Sequence, residues 1–217
     1  MIRWAVVPMK PLKDAKSRLS TILNPEERQQ LVLSLFTHTI VQLQECAKFD
    51  GIAVITADPI IAREGERLQI HVIPEETPSD LNTSLTNALP YLKERKVAGM
   101  LILPGDLPYL NARVLQDMAS EIEAQYTMMI SPDHLLMGTN ALYINPIDNL
   151  HFCYGEHSYS KHIQFARQMH YNVKMYLSDP IKVDIDGPED YKQHQEILAL
   201  HLKKQTEADN PDETSAG

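Results

Sequence analysis

Nothing in this sequence marks it for a membrane. No apolar stretch reaches the roughly 20 residues needed to cross a bilayer, and the opening MIRWAVVPMK lacks the long apolar core of a secretory leader. Cysteine is nearly absent: Cys46 and Cys153 are the only two, and they form no metal motif. With no export signal they are expected as free thiols in a reducing cytoplasm. Positive charge is in deficit, with 20 Lys+Arg against 29 Asp+Glu and a net charge of -9. That argues against a general nucleic-acid binder, which needs a basic face to neutralise phosphates. A small anionic ligand remains open, because a few local cations suffice for it. The familiar catalytic signatures are also missing. The 9 histidines give no HExxH and no zinc spacing, and most are read as surface residues. There is no GxSxG elbow, no GxGxxG after a strand and no Walker loop.

What is present is a chain of 217 residues with 43% hydrophobic residues, enough for one domain with a real core. RWAVVP (3–8) reads as a first strand. NPEERQQLVLSLFTHTIVQLQEC reads as a helix, with Asn24 as N-cap, Pro25 at the first helical position and acids in the first turn. GIAVITAD, IHVIPE, GMLILPGD, TMMISPD, NALYINP and IKVDID read as further strands. PIIAREGERL, LNTSLTNALPYLKER, NARVLQDMASEIEAQ, SKHIQFARQMH and PEDYKQHQEILALHLKK read as helices. The alternation predicts a three-layer α/β/α domain with a mostly parallel sheet over residues 1–203. The polar, acidic end, 204–217, is expected to be a disordered tail.

In such sheets ligands sit beyond the carboxyl ends of the strands, and those loops hold Lys10, Asp58, Asp106 and Asp186. PMKPLKDAKSRLS places Lys10, Lys13, Lys16 and Arg18 directly after strand one. Cations at the mouth of a βα unit make a phosphate site, although a charge run is as often a solvated face. Asp106 in PGDLP suits a hard divalent cation, although a lone loop aspartate is more often a turn residue. Gly105 would make room beside it for phosphate and metal. In KVDIDGPEDY, strand alternation puts Asp184 and Asp186 on one face, where they repel unless a cation joins them. Glu189 and Asp190 fit the first turn of the next helix and are read as structural. Gly138, Thr139 and Asn140, and the stretch Gly155 to Ser158 before a helix, could present N–H groups and a hydroxyl to an anion; ordinary turns with a capping serine explain them equally well.

Taken together, VPMKPLKDAKSRLS, DLNTSLTNAL, LPGDLPYL, GTNALYINP, YGEHSYSKHIQFAR and VDIDGPEDY resemble the CofC/FbiD family, over residues 6 to about 191. These are the 2-phospho-L-lactate or phosphoenolpyruvate guanylyltransferases of coenzyme F-420 biosynthesis. The resemblance implies a GT-A-like nucleotidyltransferase fold, Mg²⁺ as cofactor, GTP and a small phosphorylated carboxylic acid as substrates, and a homodimer. It implies that Lys10, Lys16 and Arg18 hold the triphosphate and that Asn82 lies by the nucleoside. Asp106 and Asp186, with Asp184 nearby, would hold Mg²⁺, and Lys10, Asp106 and Asp186 would carry the catalysis. Thr139, Gly155 and Ser158 would bind the phosphorylated acid. The sequence departs from the family pattern at His134, at Asp80-Leu81-Asn82 and at Gly187, positions that bear on base and acceptor specificity rather than on reaction type. The alternatives are a molybdenum-cofactor type nucleotidyltransferase, which usually opens with a glycine-rich loop that is missing here, and a non-catalytic nucleotide sensor on the same fold.

Overall fold

The computed structural model describes residues 1–122 and 126–209. Its core is a sheet of seven strands: β1 (Arg3–Met9), β2 (Gly51–Thr56), β3 (His71–Pro74), β4 (Gly99–Ile102), β5 (Thr127–Pro132), β6 (Thr139–Asn145) and β7 (Asn172–Met175). The spatial order is β3-β2-β1-β4-β6-β5-β7. Only β6 runs antiparallel to its neighbours, β4 and β5. The expected mostly parallel mixed sheet is therefore present.

Helices cover both faces, because the central strands are apolar on both. From β1, Ala5 and Val7 face a layer built by α1 (Pro25–Cys46), α2 (Pro59–Arg67) and α4 (Ala112–Ser120). Trp4 and Val6 face the opposite layer of α3 (Leu81–Glu94) and α5 (Ser158–Gln168). Phe36 and Ile40 of α1 are fully buried, each contributing about 1.5–3 kcal/mol by area removed from water. Asn24 caps α1 in a reciprocal box with Glu27, and Pro25 opens the helix, as the sequence predicts. Asn111 caps α4, its side-chain oxygen accepting the Val114 N–H at 3.0 Å.

Four expectations are corrected. IKVDID is not a strand. Its first residues belong to a short helix, α6 (Asp179–Lys182), opened by Pro180, and the rest is an extended segment outside the sheet. The sheet edge is instead β7, which the sequence reading leaves unassigned. It is four residues long and only half-buried, so it carries little apolar alternation. The last helix is two, α7 (Pro188–Gln193) and α8 (Gln195–Asp209), broken at His194, whose ring bonds the Tyr109 hydroxyl at 2.8 Å. The tail does not begin at 204, since α8 continues to Asp209. Leu198, His201 and Gln205 follow helical spacing and are all buried, which draws this polar stretch into the packed structure. Residues 210–217 of the expected tail lie outside the described residues. No helix among the described residues is long and apolar enough to cross a membrane.

Candidate functional site

A cavity of about 450 Å³ opens at the carboxyl ends of β1 and β4. One wall is the segment after β1. It consists of two short 3-10 turns, Leu12–Asp14 and Ser17–Thr21, with Lys16 between them in the left-handed region at φ 51°. The turns are anchored rather than loose. Leu12 is buried in the main core and Leu19 in a small cluster with Leu31, Leu35, Ile185 and Leu198. Asp58 fixes the segment from behind: one carboxylate oxygen accepts from the Leu12 N–H at 2.7 Å, and the other caps α2. Asp58 thus serves the loop rather than the cavity.

This anchoring aims Lys16 inward. Its side chain is 8% exposed, and its ammonium bonds Asp106 Oδ2 directly and Asp186 Oδ1 at 3.2 Å. Burial alone would lower the Lys16 pKa, but the charges of Asp106 and Asp186 outweigh it and hold it above its ordinary value. Arg18 stands 3.8 Å from Asp186 with most of its side chain in solvent. Lys10 is exposed and also lines the cavity.

The carboxylates come from two directions. Asp106 follows β4 in the turn that the sequence singles out. Gly105 does not make room for a ligand: a Cβ there would collide with the Met9 sulfur, so it makes room for packing. Asp184 and Asp186 are not aligned by a strand. They flank Ile185, which is fully buried against Leu19, Leu31, Leu35 and Leu198. Asp190 then takes the Asp186 and Gly187 N–H groups at 3.1 and 2.8 Å, so it is structural, as expected.

This donor set fits a divalent cation. Asp106 Oδ1 is buried with no hydrogen-bond partner, an acceptor that a cation would satisfy. Asp184 is pushed up to about 6, first by burial and then by the charges of Asp106 and Asp186, so negative charge exceeds what Lys16 offsets. Among the described residues no three His, Cys, Asp or Glu side chains form a ready cage. A small hard cation held by one or two carboxylates and completed by substrate phosphate suits that arrangement.

The opposite wall carries Thr139, at the start of β6. The histidine behind it is not on the surface. His162 is 1% exposed, and its Nε2 accepts the Cys153 N–H at 3.0 Å. Burial, with His151 nearby, lowers its pKa to about 4, so the ring is neutral and its proton sits on Nδ1. That N–H donates to Thr139 Oγ1 at 3.1 Å, and Ser158 Oγ donates to the same oxygen at 3.2 Å. With two bonds accepted, the Thr139 hydroxyl has its own proton left to give to the cavity. Ser158 is buried and does not line the cavity; it acts on Thr139. The spacing of Ser158 and His162, one helical turn apart on α5, is the sequence signal that could have paired them.

Gly155, at φ +114°, shapes the turn before α5 without lining the cavity, and its positive φ disfavours any side chain there. Asn82 does not line the cavity either. Its amide accepts the Tyr154 N–H at 2.8 Å and donates to the Tyr154 carbonyl at 3.0 Å, tying α3 to this turn. The structure therefore gathers Lys10, Lys16, Arg18, Asp106, Asp186 and Thr139 on one cavity. Asp184, Ser158, Gly155 and Asn82 stand behind it.

This chain is similar to guanylyltransferases over most of its length. A phosphoenolpyruvate guanylyltransferase of Chloroflexus aggregans is 31% identical over 195 residues, covering 87% of this chain and 94% of that protein. A 2-phospho-L-lactate guanylyltransferase of Methanocaldococcus jannaschii is 28% identical over 191 residues, covering 85% and 79%. Among solved structures, a nucleotidyl transferase from Methanothermobacter thermautotroptrophicus superposes with a TM-score of 0.66 at 16% identity, over 92% of this chain and 98% of that one. A cytidylyltransferase from Leptospira borgpetersenii gives a TM-score of 0.57 at 12% identity, over 97% and 96%. The fold is that of the nucleotide-diphospho-sugar transferases and nucleotidyltransferases, as the GT-A-like expectation holds. The profile described as "Guanylyl transferase CofC like" matches residues 3–208, and the chain belongs to that family.

Proposed function

We propose that this protein transfers GMP from GTP to the phosphate of a three-carbon phosphorylated acid, phosphoenolpyruvate or 2-phospho-L-lactate, and releases pyrophosphate, as a step toward coenzyme F-420. The observation that carries this reading is the single cavity in which Lys10, Lys16 and Arg18 meet Asp106 and Asp186 across from Thr139. Cations for a triphosphate, carboxylates for its metal and a directed hydroxyl for the acceptor occupy one space.

In the reaction an oxygen of the acceptor phosphate forms a bond to the α-phosphorus. The bond from that phosphorus to the bridging oxygen of pyrophosphate breaks, and pyrophosphate leaves. A phosphate monoester has a second pKa of about 6, so the nucleophile is largely ionised at neutral pH and no strong base is needed. The neutral His162 is turned toward Thr139 and serves to orient it, not to take a proton from substrate. Lys10 and Arg18 receive the triphosphate. Lys16 exchanges its carboxylate partners for phosphate oxygens as the nucleotide enters. Asp106 and Asp186 are the residues that would hold Mg²⁺, with Asp184 adding to the local negative charge. Bound there, Mg²⁺ supplies neutralisation of the charge that builds on the α-phosphate and leaving group. Thr139 donates to the acceptor and holds its phosphate in line for attack.

The test incubates the protein with GTP and Mg²⁺, adds phosphoenolpyruvate, 2-phospho-L-lactate or 3-phosphoglycerate, and follows pyrophosphate. Release is expected with one of the first two. Tight GTP binding with no release for any acid would overturn the reading in favour of a nucleotide sensor.

A further inference from the structure

The residues discussed so far account for one end of the cavity. Its other end, beyond β3 and at the start of α3, is lined by Glu75, Pro78, Ser79, Leu81 and Ser84. Of these only Leu81, within the Asp80-Leu81-Asn82 departure from the family pattern, bears on specificity from sequence; Glu75 and Ser79 carry no motif. Glu75 directly follows β3, and its N–H donates to the Thr56 carbonyl at 3.0 Å, which prolongs the pairing with β2 by one residue. The backbone at Glu75 is therefore fixed by the sheet.

Its carboxylate is fixed as well. Oε1 accepts from Ser79 Oγ at 2.8 Å and from Ser84 Oγ at 2.6 Å. Ser84 is buried on α3, which ties this carboxylate to the helix. The two hydroxyls also lie 2.9 Å apart, so Oε1, Ser79 and Ser84 form one closed hydrogen-bonded cluster. Among the described residues Oε2 accepts no hydrogen bond, and Glu75 pairs with no cation. A half-buried carboxylate beside Pro78 and Leu81, with one oxygen satisfied and the other open, is an acceptor set that a ligand completes.

Guanine is the base whose edge matches it. N1–H and the N2 amino group are adjacent donors, and both can be taken by Oε2, which retains its lone pairs. Adenine presents an acceptor at N1, which an anionic oxygen repels. Pro78 and Leu81 supply apolar surface for the flat face of a base. We infer that Glu75 selects guanine over other bases in the nucleoside triphosphate. This rests on the guanylyl-transfer reading and adds to it the residue that makes the nucleotide GTP. The sites of base selection and phosphate binding then lie at opposite ends of one cavity, with the ribose between them.

The test is a competition assay with a fluorescent GTP analogue, reading dissociation constants for GTP, ITP and ATP with Mg²⁺ on the wild type, Glu75→Gln and Glu75→Ala. In Glu75→Gln the amide oxygen still accepts from the two serines, and the amide NH₂ replaces Oε2 against the base donors. GTP affinity should fall roughly 10- to 100-fold, as for loss of charge-assisted bonds, while ATP affinity holds or rises. ITP, which lacks the N2 amino group, should bind the wild type more weakly than GTP, and Glu75→Ala should narrow that gap. An unchanged GTP-to-ATP ratio in Glu75→Gln overturns the inference and leaves guanylyl transfer standing. Equal losses for GTP and ATP overturn it too, because they would mean that Glu75 only braces α3. A wild type that binds none of the three would defeat guanylyl transfer itself.

Discussion

Replacing Lys16 with methionine tests how the cavity is held before a nucleotide arrives. The Lys16 ammonium is the cation between Asp106 and Asp186, and its side chain is 8% exposed. Methionine fills similar space and removes the charge. The carboxylates then face one another, next to Asp184, whose pKa is already raised by the same neighbours. Breaking a buried pair costs about 3–5 kcal/mol. Asp186 is 55% exposed, so the lower figure applies, about 3 kcal/mol after discounting for solvent screening. For a domain of this length each kcal/mol moves Tm by about 2–4 °C, so Lys16→Met should melt roughly 6–12 °C lower in chelator. The same substitution removes the charge that competes with a divalent cation for the two carboxylates. Mg²⁺ without nucleotide should therefore stabilise the variant more than the wild type, by about 2.7 kcal/mol once it reaches 100 times its Kd. Thermal shift curves with and without MgCl₂, at matched ionic strength, give the answer. Equal Mg²⁺ responses in the two proteins, or no loss of stability in the variant, would refute the account of Lys16 as the resident counter-charge.

Asp106→Asn should lower pyrophosphate release by at least about 100-fold, as for loss of a charge-stabilising group at the reacting phosphate, while circular dichroism shows a folded protein. Near-normal turnover with Mg²⁺ would remove Asp106 from the metal. Thr139→Val deletes the directed hydroxyl and should raise KM for the acid about tenfold with little change in KM for GTP, measured by initial rates. His162→Asn should reproduce part of that effect through Thr139, since the ring does not reach the cavity. Stability should also depend on pH through His162. Its folded pKa of about 4 lies below the unfolded value of about 6.5, so the stability is complete above 6.5 and is lost as pH falls through 4, up to about 3 kcal/mol. Urea melts of wild type and His162→Asn between pH 7 and 4.5 should show a shallower loss in the variant. His38, also lowered to about 4 by burial and by the neighbouring His201, leaves part of the slope in both proteins.

The elements that the sequence predicted well are those whose signals are local. Asn24-Pro25 with Glu27 is a complete capping box within four residues, and the near-helical spacing of Leu31, Leu35, Ile40 and Leu43 marks positions that are all buried. The strands RWAVVP and GIAVIT are buried on both faces, so they read as plain apolar runs. IKVDID carries the same alternation but is no strand. Pro180 starts a helix, Ile185 is drawn into the cluster between α1 and α8, and the edge position goes to the more polar NVKM.

The candidate site divides in the same way. Residue type marked Lys10, Lys16, Arg18, Asp106 and Asp186 as candidates, and the family segments added Thr139; the cavity brings these six together. Partnership was not legible there. That Lys16 lies between Asp106 and Asp186 depends on contacts across 90 and 170 residues. That Asn82 ties down Tyr154, that His162 turns Thr139, and that Ser79 and Ser84 hold Glu75 depends on which side chains the packed sheet and helices bring within 3 Å or so of one another. The sequence by itself determined the alternating elements, the family segments and the charged residues that chemistry would use. Only the tertiary structure decided which of them face the cavity and which stand behind it, because burial and hydrogen-bond direction are properties of the assembled core and have no local code.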